Sequence, residues 1–194
     1  MDALLLQLLN GLDKGAAYAL IALGLTLVFG TLGVVNFAHG ALFMMGAFVA
    51  VSVNALLNVS KQVRDESITF FEAYKSQPYL EIWFGDTGLA LIEWSVPIAI
   101  FVAIPVMLLI GLAMERGLIR FFYNRSHAEQ ILVTFGLAIC LGEIVKAVFG
   151  ANPIPQSAPD IVAGAAPVGS WFGLSETMVY PWWRLVYLFS SLLI

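Results

Sequence analysis

The sequence is poor in charge, in cysteine and in histidine. Only 11% of its 194 residues are Asp, Glu, Lys or Arg, against about 25% in an ordinary soluble domain, while 60% are hydrophobic. With a mean hydropathy of +0.90, that balance excludes a water-soluble enzyme or binding module. The single cysteine, Cys140, lies in an apolar run with no CxxC spacing and no histidine neighbour. This excludes a disulfide framework and a thiolate metal site, and leaves a small packing residue. Two histidines give too few ligands for a metal centre, and no HExxH, GxSxG or GxxxxGK pattern occurs. No catalytic constellation or nucleotide site is therefore expected in this chain. No basic patch marks a nucleic-acid surface, and the net charge is −4. No Lys or Arg precedes the first apolar run, which Asp2 and Asp13 flank. The N-terminus is accordingly expected to stay on the mature protein rather than leave as a signal peptide.

What the sequence has in quantity is uncharged length. A helix crosses roughly 30 Å of hydrocarbon with about 20 apolar residues, and a barrel would need period-two alternation, which is missing. The fold class is therefore all-α: a polytopic integral membrane helix bundle. No charged residue appears between Lys14 and Lys61, a run too long for one helix and punctuated by Gly30, Thr31, Gly33, Asn36, His39 and Gly40. It reads as two spans, about 15–29 and 40–57, with a glycine-broken region from Gly30 to His39 between them. The short apolar segment Leu4 to Leu12 is either a half-inserted lead-in helix or an extension of the first span through Asp13 and Lys14. A third span covers about 95–113, where Pro105 should kink the helix, and a fourth about 131–149. A fifth begins near Trp182, and the chain is expected to end inside it at Ile194.

Charge placement sets the orientation. The connection from Glu115 to Glu129 carries Arg116, Arg120, Arg125 and His127, whereas 150–181 has no Lys or Arg. The Arg-rich connection should be cytoplasmic. That puts 58–93 outside as an acidic loop, its Lys61, Arg64 and Lys75 outnumbered by Asp65, Glu66, Glu72, Glu81, Asp86 and Glu93. The segment 150–181, with Pro153, Pro155 and Pro159, is a second outer loop leading to an interfacial Pro181-Trp182-Trp183-Arg184 anchor.

Small residues recur every fourth position, at Gly11, Gly15 and Ala19 and at Thr134, Ala138 and Gly142, a spacing that lets helices approach closely. The stretch Gly30 to Gly40 sets an amide and an imidazole three residues apart in apolar surroundings. Polar groups at membrane depth are costly unless used or paired. Asn36 and His39 either line a pathway at a discontinuous helix or cap a tight turn at the inner surface. Glu143 and Lys146 are spaced to pair on one helix face, as a structural ion pair or, alternatively, in ion coupling.

Two stretches, Leu9 to Gly30 and Leu32 to Phe48, closely resemble the inner-membrane permeases of branched-chain amino acid ABC importers. Glu115 to Arg120 and Ala128 to Ala138 carry further matches, so the likeness extends over nearly the whole chain, although the acidic loop is longer than in many relatives. The resemblance implies that 1–194 is a partial permease domain that moves a branched-chain amino acid, or a related solute such as urea or a short amide, across the bacterial inner membrane. It implies no cofactor in this chain, with ATP and Mg on cytoplasmic ATPase subunits. The other partners it implies are a second permease subunit, an extracytoplasmic solute-binding protein and membrane lipid. The loop that docks on the ATPase is expected after the fifth span, beyond Ile194. Within this reading Asn36, His39 and Gly40 are candidates for the substrate pathway or its inner gate, with Gly30 and Gly33 permitting the break. An ion-coupled secondary transporter or channel, with His39, Glu143 and Lys146 carrying charge, is the alternative.

Overall fold

The computed structural model describes residues 2–64, 74–158, 162–173, 175 and 178–193. Asp65, Glu66 and Glu72 of the acidic loop, together with Pro159 and Ile194, lie outside the described residues. The chain is an all-α polytopic protein with two short antiparallel ladders among the described residues, and it divides into two compact units, Met1–Met45 with Leu109–Ile194, and Gly46–Leu108. Its helices long and apolar enough to cross a membrane number four among the described residues.

Helix α1 is Asp2–Leu32, longer than the 15–29 span expected from charge. The segment Leu4 to Leu12 is its first turns, because Asp13 and Lys14 do not interrupt the backbone. The helix is Leu- and Ala-rich and free of proline, and at 1.5 Å per residue it is about 46 Å long, more than the hydrocarbon needs. Its surplus N-terminal turns have their own packing partner. Leu5, Leu6 and Leu9 cover a small core of Ala166, Val168, Met178, Tyr180 and Leu185. Asp13 is tied there as well: Arg184 Nε lies 4.0 Å from its Oδ2, while Arg184 Nη1 donates to Asn10 Oδ1 at 2.7 Å.

Helix α1 stops at Gly33, whose φ of +64° suits a residue without Cβ and whose N–H donates to the Phe29 carbonyl at 2.8 Å, a left-handed helix cap. The break thus starts at Gly33, three residues later than expected. Gly30 is helical because nothing before Gly33 interrupts the ladder. Helix α2, His39–Leu57, follows. Hydroxyls within the first two helices are satisfied locally, Thr26, Thr31 and Ser52 each donating to a carbonyl one turn back at 2.7–2.8 Å, as an apolar solvent demands.

The described residues of the acidic segment 58–93 hold regular structure. Strands β1 (Ser60–Arg64) and β2 (Tyr74–Pro78) pair antiparallel from Ser60↔Pro78 to Arg64↔Tyr74, and two short helices follow, α3 (Tyr79–Phe84) and α4 (Asp86–Glu93). Gly85, at φ +56°, makes the turn between them, and Gly88 is buried against the Leu80 carbonyl. Helix α5 is Ser95–Gly117, with Pro105 inside it.

A single 3₁₀ turn, Ile119–Phe122, leads to α6, His127–Phe149. This helix begins a turn earlier than the expected 131 because Ser126 caps it, its hydroxyl accepting from Glu129 N–H at 3.4 Å. Ser-x-x-Glu at this point is a capping-box spacing. The expected Pro/Gly/Ala loop contains ladder β3–β4 (Ala165–Ala166 with Tyr180–Pro181) and the turn of helix α7, Val168–Trp171. Helix α8 is Trp182–Leu193. At its start the Arg184 guanidinium lies 5.1 Å from the Trp183 ring and 5.7 Å from that of Tyr180.

Gly88→Ala would drive a methyl into the Leu80 backbone, an overpacking cost of about 1–3 kcal/mol. The melting temperature of the detergent-solubilised protein should fall by several degrees. Gly142→Ala, whose methyl meets no atom within 4 Å, should not lower it. Equal melting curves for the two variants would show that the α3–α4 contact contributes no stability.

Candidate functional site

Between the end of α1 at Gly33 and the start of α2 at His39 the backbone has no helical ladder of its own, so its polar groups need other partners. Residues along it alternate in burial: Val34, Asn36 and Ala38 are buried, whereas Phe37 is half exposed. Asn36 turns its amide back on the chain. Its Oδ1 accepts the Ala38 N–H at 2.9 Å and its carbonyl accepts the His39 N–H at 3.3 Å, which caps the entry to α2. The capping role weighed for Asn36 is therefore present in the geometry.

The partner for the next amide comes from α6. Thr134, 2% exposed, accepts the Phe37 N–H on Oγ1 at 3.1 Å and donates its own proton to the Gln130 carbonyl at 2.8 Å. A hydroxyl has one proton and two lone pairs, so this side chain can serve both helix and break at once. One turn earlier, buried Gln130 donates through Nε2 to the carbonyls of Phe122 (3.0 Å) and Arg125 (3.3 Å). Its Oε1 is buried without a hydrogen-bond partner. The break, α6 and the Arg-rich connection are thus joined through two side chains on one face of α6.

His39 takes a different role from Asn36. Its imidazole rests on α1 over Gly24, so close that a Cβ there would lie 2.7 Å from Nε2 and 2.9 Å from Cε1. The ring occupies space that the missing side chain of Gly24 leaves. Gly40 is the second residue of α2 and is exposed, with open space where a Cβ would stand.

Beneath the break is a cavity of about 150 Å³. Val28, Val34, Asn36, Leu42, Met114 and Tyr123 are among the residues lining it. At its edge the Tyr123 hydroxyl donates to Glu115 Oε1 at 3.0 Å. Burial, and then the adjoining Glu115 carboxylate, push the Tyr123 phenol above its usual 10.0, so it stays a neutral donor. Apart from Asn36, Glu115 and Tyr123, the residues lining it are apolar.

Glu143 and Lys146 do pair, Nζ to Oε1 at 2.7 Å, with side chains 64% and 59% exposed. They stand 9–12 residues along α6 from Thr134, roughly 14–18 Å at the helical rise, so the pair is a separate feature from the break. Among the described residues no group of three or more His, Cys, Asp or Glu could hold a metal ion. Sequence reasoning missed Thr134 as a partner, although a polar residue in an apolar span was a signal. It also missed Gly24, one of 17 glycines, which carried no signal.

The family model described as branched-chain amino acid transport system, permease component, matches residues 7–192. The high-affinity branched-chain amino acid transport system permease protein BraD of Pseudomonas aeruginosa is 48% identical over 56 residues, 27% of this chain and 18% of BraD. The corresponding LivH permease proteins of Salmonella typhimurium and Escherichia coli K12 are each 47% identical over 51 residues, 26% of this chain and 17% of LivH. The aligned segment thus spans less than a fifth of the curated relatives' length. No solved structure matches the chain.

Thr134→Val keeps the shape of the side chain and strands the Phe37 amide, a penalty of about 1–3 kcal/mol. Hydrogen exchange over residues 33–39 is expected to accelerate in Thr134→Val and to stay slow in Thr134→Ser. Identical exchange in the two variants would remove Thr134 from the support of the break.

Proposed function

Since this chain belongs to the permease-component family of branched-chain amino acid transport systems, and is a multi-pass protein of the inner membrane, we propose that it forms part of the transmembrane pathway of an ABC importer. The substrate class is a branched-chain amino acid or a related small solute. The observation that carries this reading is the family match over residues 7–192, which contains the α1–α2 break and its supports on α6.

The permease performs no chemistry. It couples the occupancy of partner ATPase subunits, which hold ATP and Mg, to inward-facing and outward-facing populations, and a partner biases only the states that it binds unequally. A second permease subunit completes the path, and an extracytoplasmic binding protein delivers the solute. The Arg116, Arg120 and Arg125 connection faces the cytoplasm, in keeping with the bias of cationic loops. Asn36, His39 and Gly40, with Gly33 setting the turn and Gly30 in the last turn of α1, form the inner gate.

Two features favour a gate here over simple capping. The break rests on one hydroxyl of another helix, a contact that can be exchanged at modest cost, and it borders an apolar cavity. The ion-coupled alternative gains nothing from Glu143 and Lys146. They neutralise each other at 2.7 Å, away from the break.

Uptake of radiolabelled leucine, in cells carrying the full-length reading frame with its ATPase and binding protein, tests the proposal. Mutating the ATPase nucleotide site should abolish uptake. His39→Leu and Asn36→Leu should each lower it at least about tenfold, equivalent to roughly 1.4 kcal/mol on the limiting barrier, with membrane insertion and complex assembly intact. Uptake that survives the ATPase mutation would move the protein to the secondary transporters. An assembled, ATP-hydrolysing complex that takes up no leucine would keep the architecture and discard the substrate. Normal uptake in both substituted proteins would return Asn36 and His39 to a purely structural role.

A further inference from the structure

Helices α3 and α4 present an aromatic and aliphatic surface that nothing in the transport reading uses. Trp83 is 70% exposed, Phe84 58%, Trp94 56% and Ile82 46%, and the Tyr79 and Trp83 rings lie 5.8 Å apart. Such a surface on a polar outer segment would be a liability if it faced water.

Connectivity fixes where this surface lies. On the N-terminal side, Tyr79 directly follows Pro78, and Pro78 pairs with Ser60, three residues after α2 ends at Leu57. On the C-terminal side, α4 ends at Glu93 and α5 starts at Ser95, with only Trp94 between them. Both ends of the helix pair are therefore held within a few residues of membrane-crossing helices. The pair is also compact, since Gly88 lets α4 touch the Leu80 backbone. The polar strands Ser60–Arg64 and Tyr74–Pro78 leave that same base, and they are the part free to extend into water.

We infer that α3 and α4 form an interfacial helix pair lying along the bilayer surface, with Tyr79, Ile82, Trp83, Phe84 and Trp94 at the boundary between lipid headgroups and acyl chains. Trp and Tyr favour that level because an apolar ring with a polar N–H or O–H is satisfied on both sides there. Charge selects the lipid. Residues 79–94 contain Glu81, Asp86 and Glu93 and no Lys or Arg, so the partner is a zwitterionic lipid whose ammonium groups tolerate carboxylates and can sit over ring faces. An anionic surface would repel it. The inference rests on the multi-pass membrane reading and is independent of what is transported.

The test is depth-dependent fluorescence quenching of the protein reconstituted in phosphatidylcholine vesicles, with Trp83 kept and Trp94, Trp171, Trp182 and Trp183 replaced by Phe. Bromine placed near the lipid carbonyls should lower Trp83 emission about twofold, as for a side chain buried roughly 5–10 Å into the headgroup boundary. Bromine near the chain ends should quench less, and aqueous acrylamide only weakly. Strong acrylamide quenching with no response to brominated lipid would overturn the inference in favour of a solvated loop. Deep bromine outperforming shallow would replace it with a re-entrant insertion. Protection from every quencher would mean that protein, not lipid, covers the surface. If the multiple Phe replacements unfold the protein, a nitroxide on Trp83→Cys in a Cys140→Ala background reads the same question. Higher accessibility to oxygen than to an aqueous nickel chelate supports the inference, and the reverse order overturns it.

Discussion

An apolar solvent leaves no water for a backbone amide, so each interruption of a membrane helix needs a partner from elsewhere in the protein. In this chain one such partner is the hydroxyl of Thr134, which accepts the Phe37 amide at the α1–α2 break. Much of the surrounding arrangement follows from that bond. It requires α6 to pass beside the break with a small hydrogen-bonding side chain at the contact. It requires Thr134 to keep its own proton occupied, which the Gln130 carbonyl does. Gln130 in turn holds the carbonyls of Phe122 and Arg125, so support of the break reaches the connection between α5 and α6.

Membrane helices were legible in the sequence because a single quantity, uncharged length, specifies them. Their ends were less so, since ends depend on local chemistry that hydropathy averages away. Gly33 rather than Gly30 ends α1 because the left-handed residue takes the last amide bond to Phe29, and two glycines three apart look alike in a composition window. The early start of α6 was written in Ser126 and Glu129 as a capping spacing, although apolar counting passes over it. Asp13 and Lys14 left open whether Leu4 to Leu12 was a separate lead-in or part of the first span; α1 runs through both, with Asp13 4.0 Å from Arg184, a residue far away in sequence.

The candidate site was legible in part. Asn36 and His39 stood out as polar residues in apolar surroundings, and the structure divides their work: Asn36 bonds to its own turn, while the His39 ring packs over Gly24. Neither Gly24 nor Thr134 could have been matched to them from spacing, because contacts between helices are fixed by tertiary packing and not by periodicity. The ladder and short helices between Ser60 and Glu93 were hidden for a related reason. Their residues alternate too briefly for a strand signal, and their aromatics read as loop residues until the connectivity shows both ends tethered.

The bond from Arg184 to Asn10 joins residues 174 positions apart. A ribosome adding about 5–20 residues per second takes roughly ten to thirty seconds to travel between them. Throughout that interval α1 is already made while Asp13 has no guanidinium beside it and Leu5, Leu6 and Leu9 lack the core that they later cover. The early turns of α1 therefore wait for residues 166–185 before they have these partners, and depend during synthesis on whatever the insertion machinery offers them.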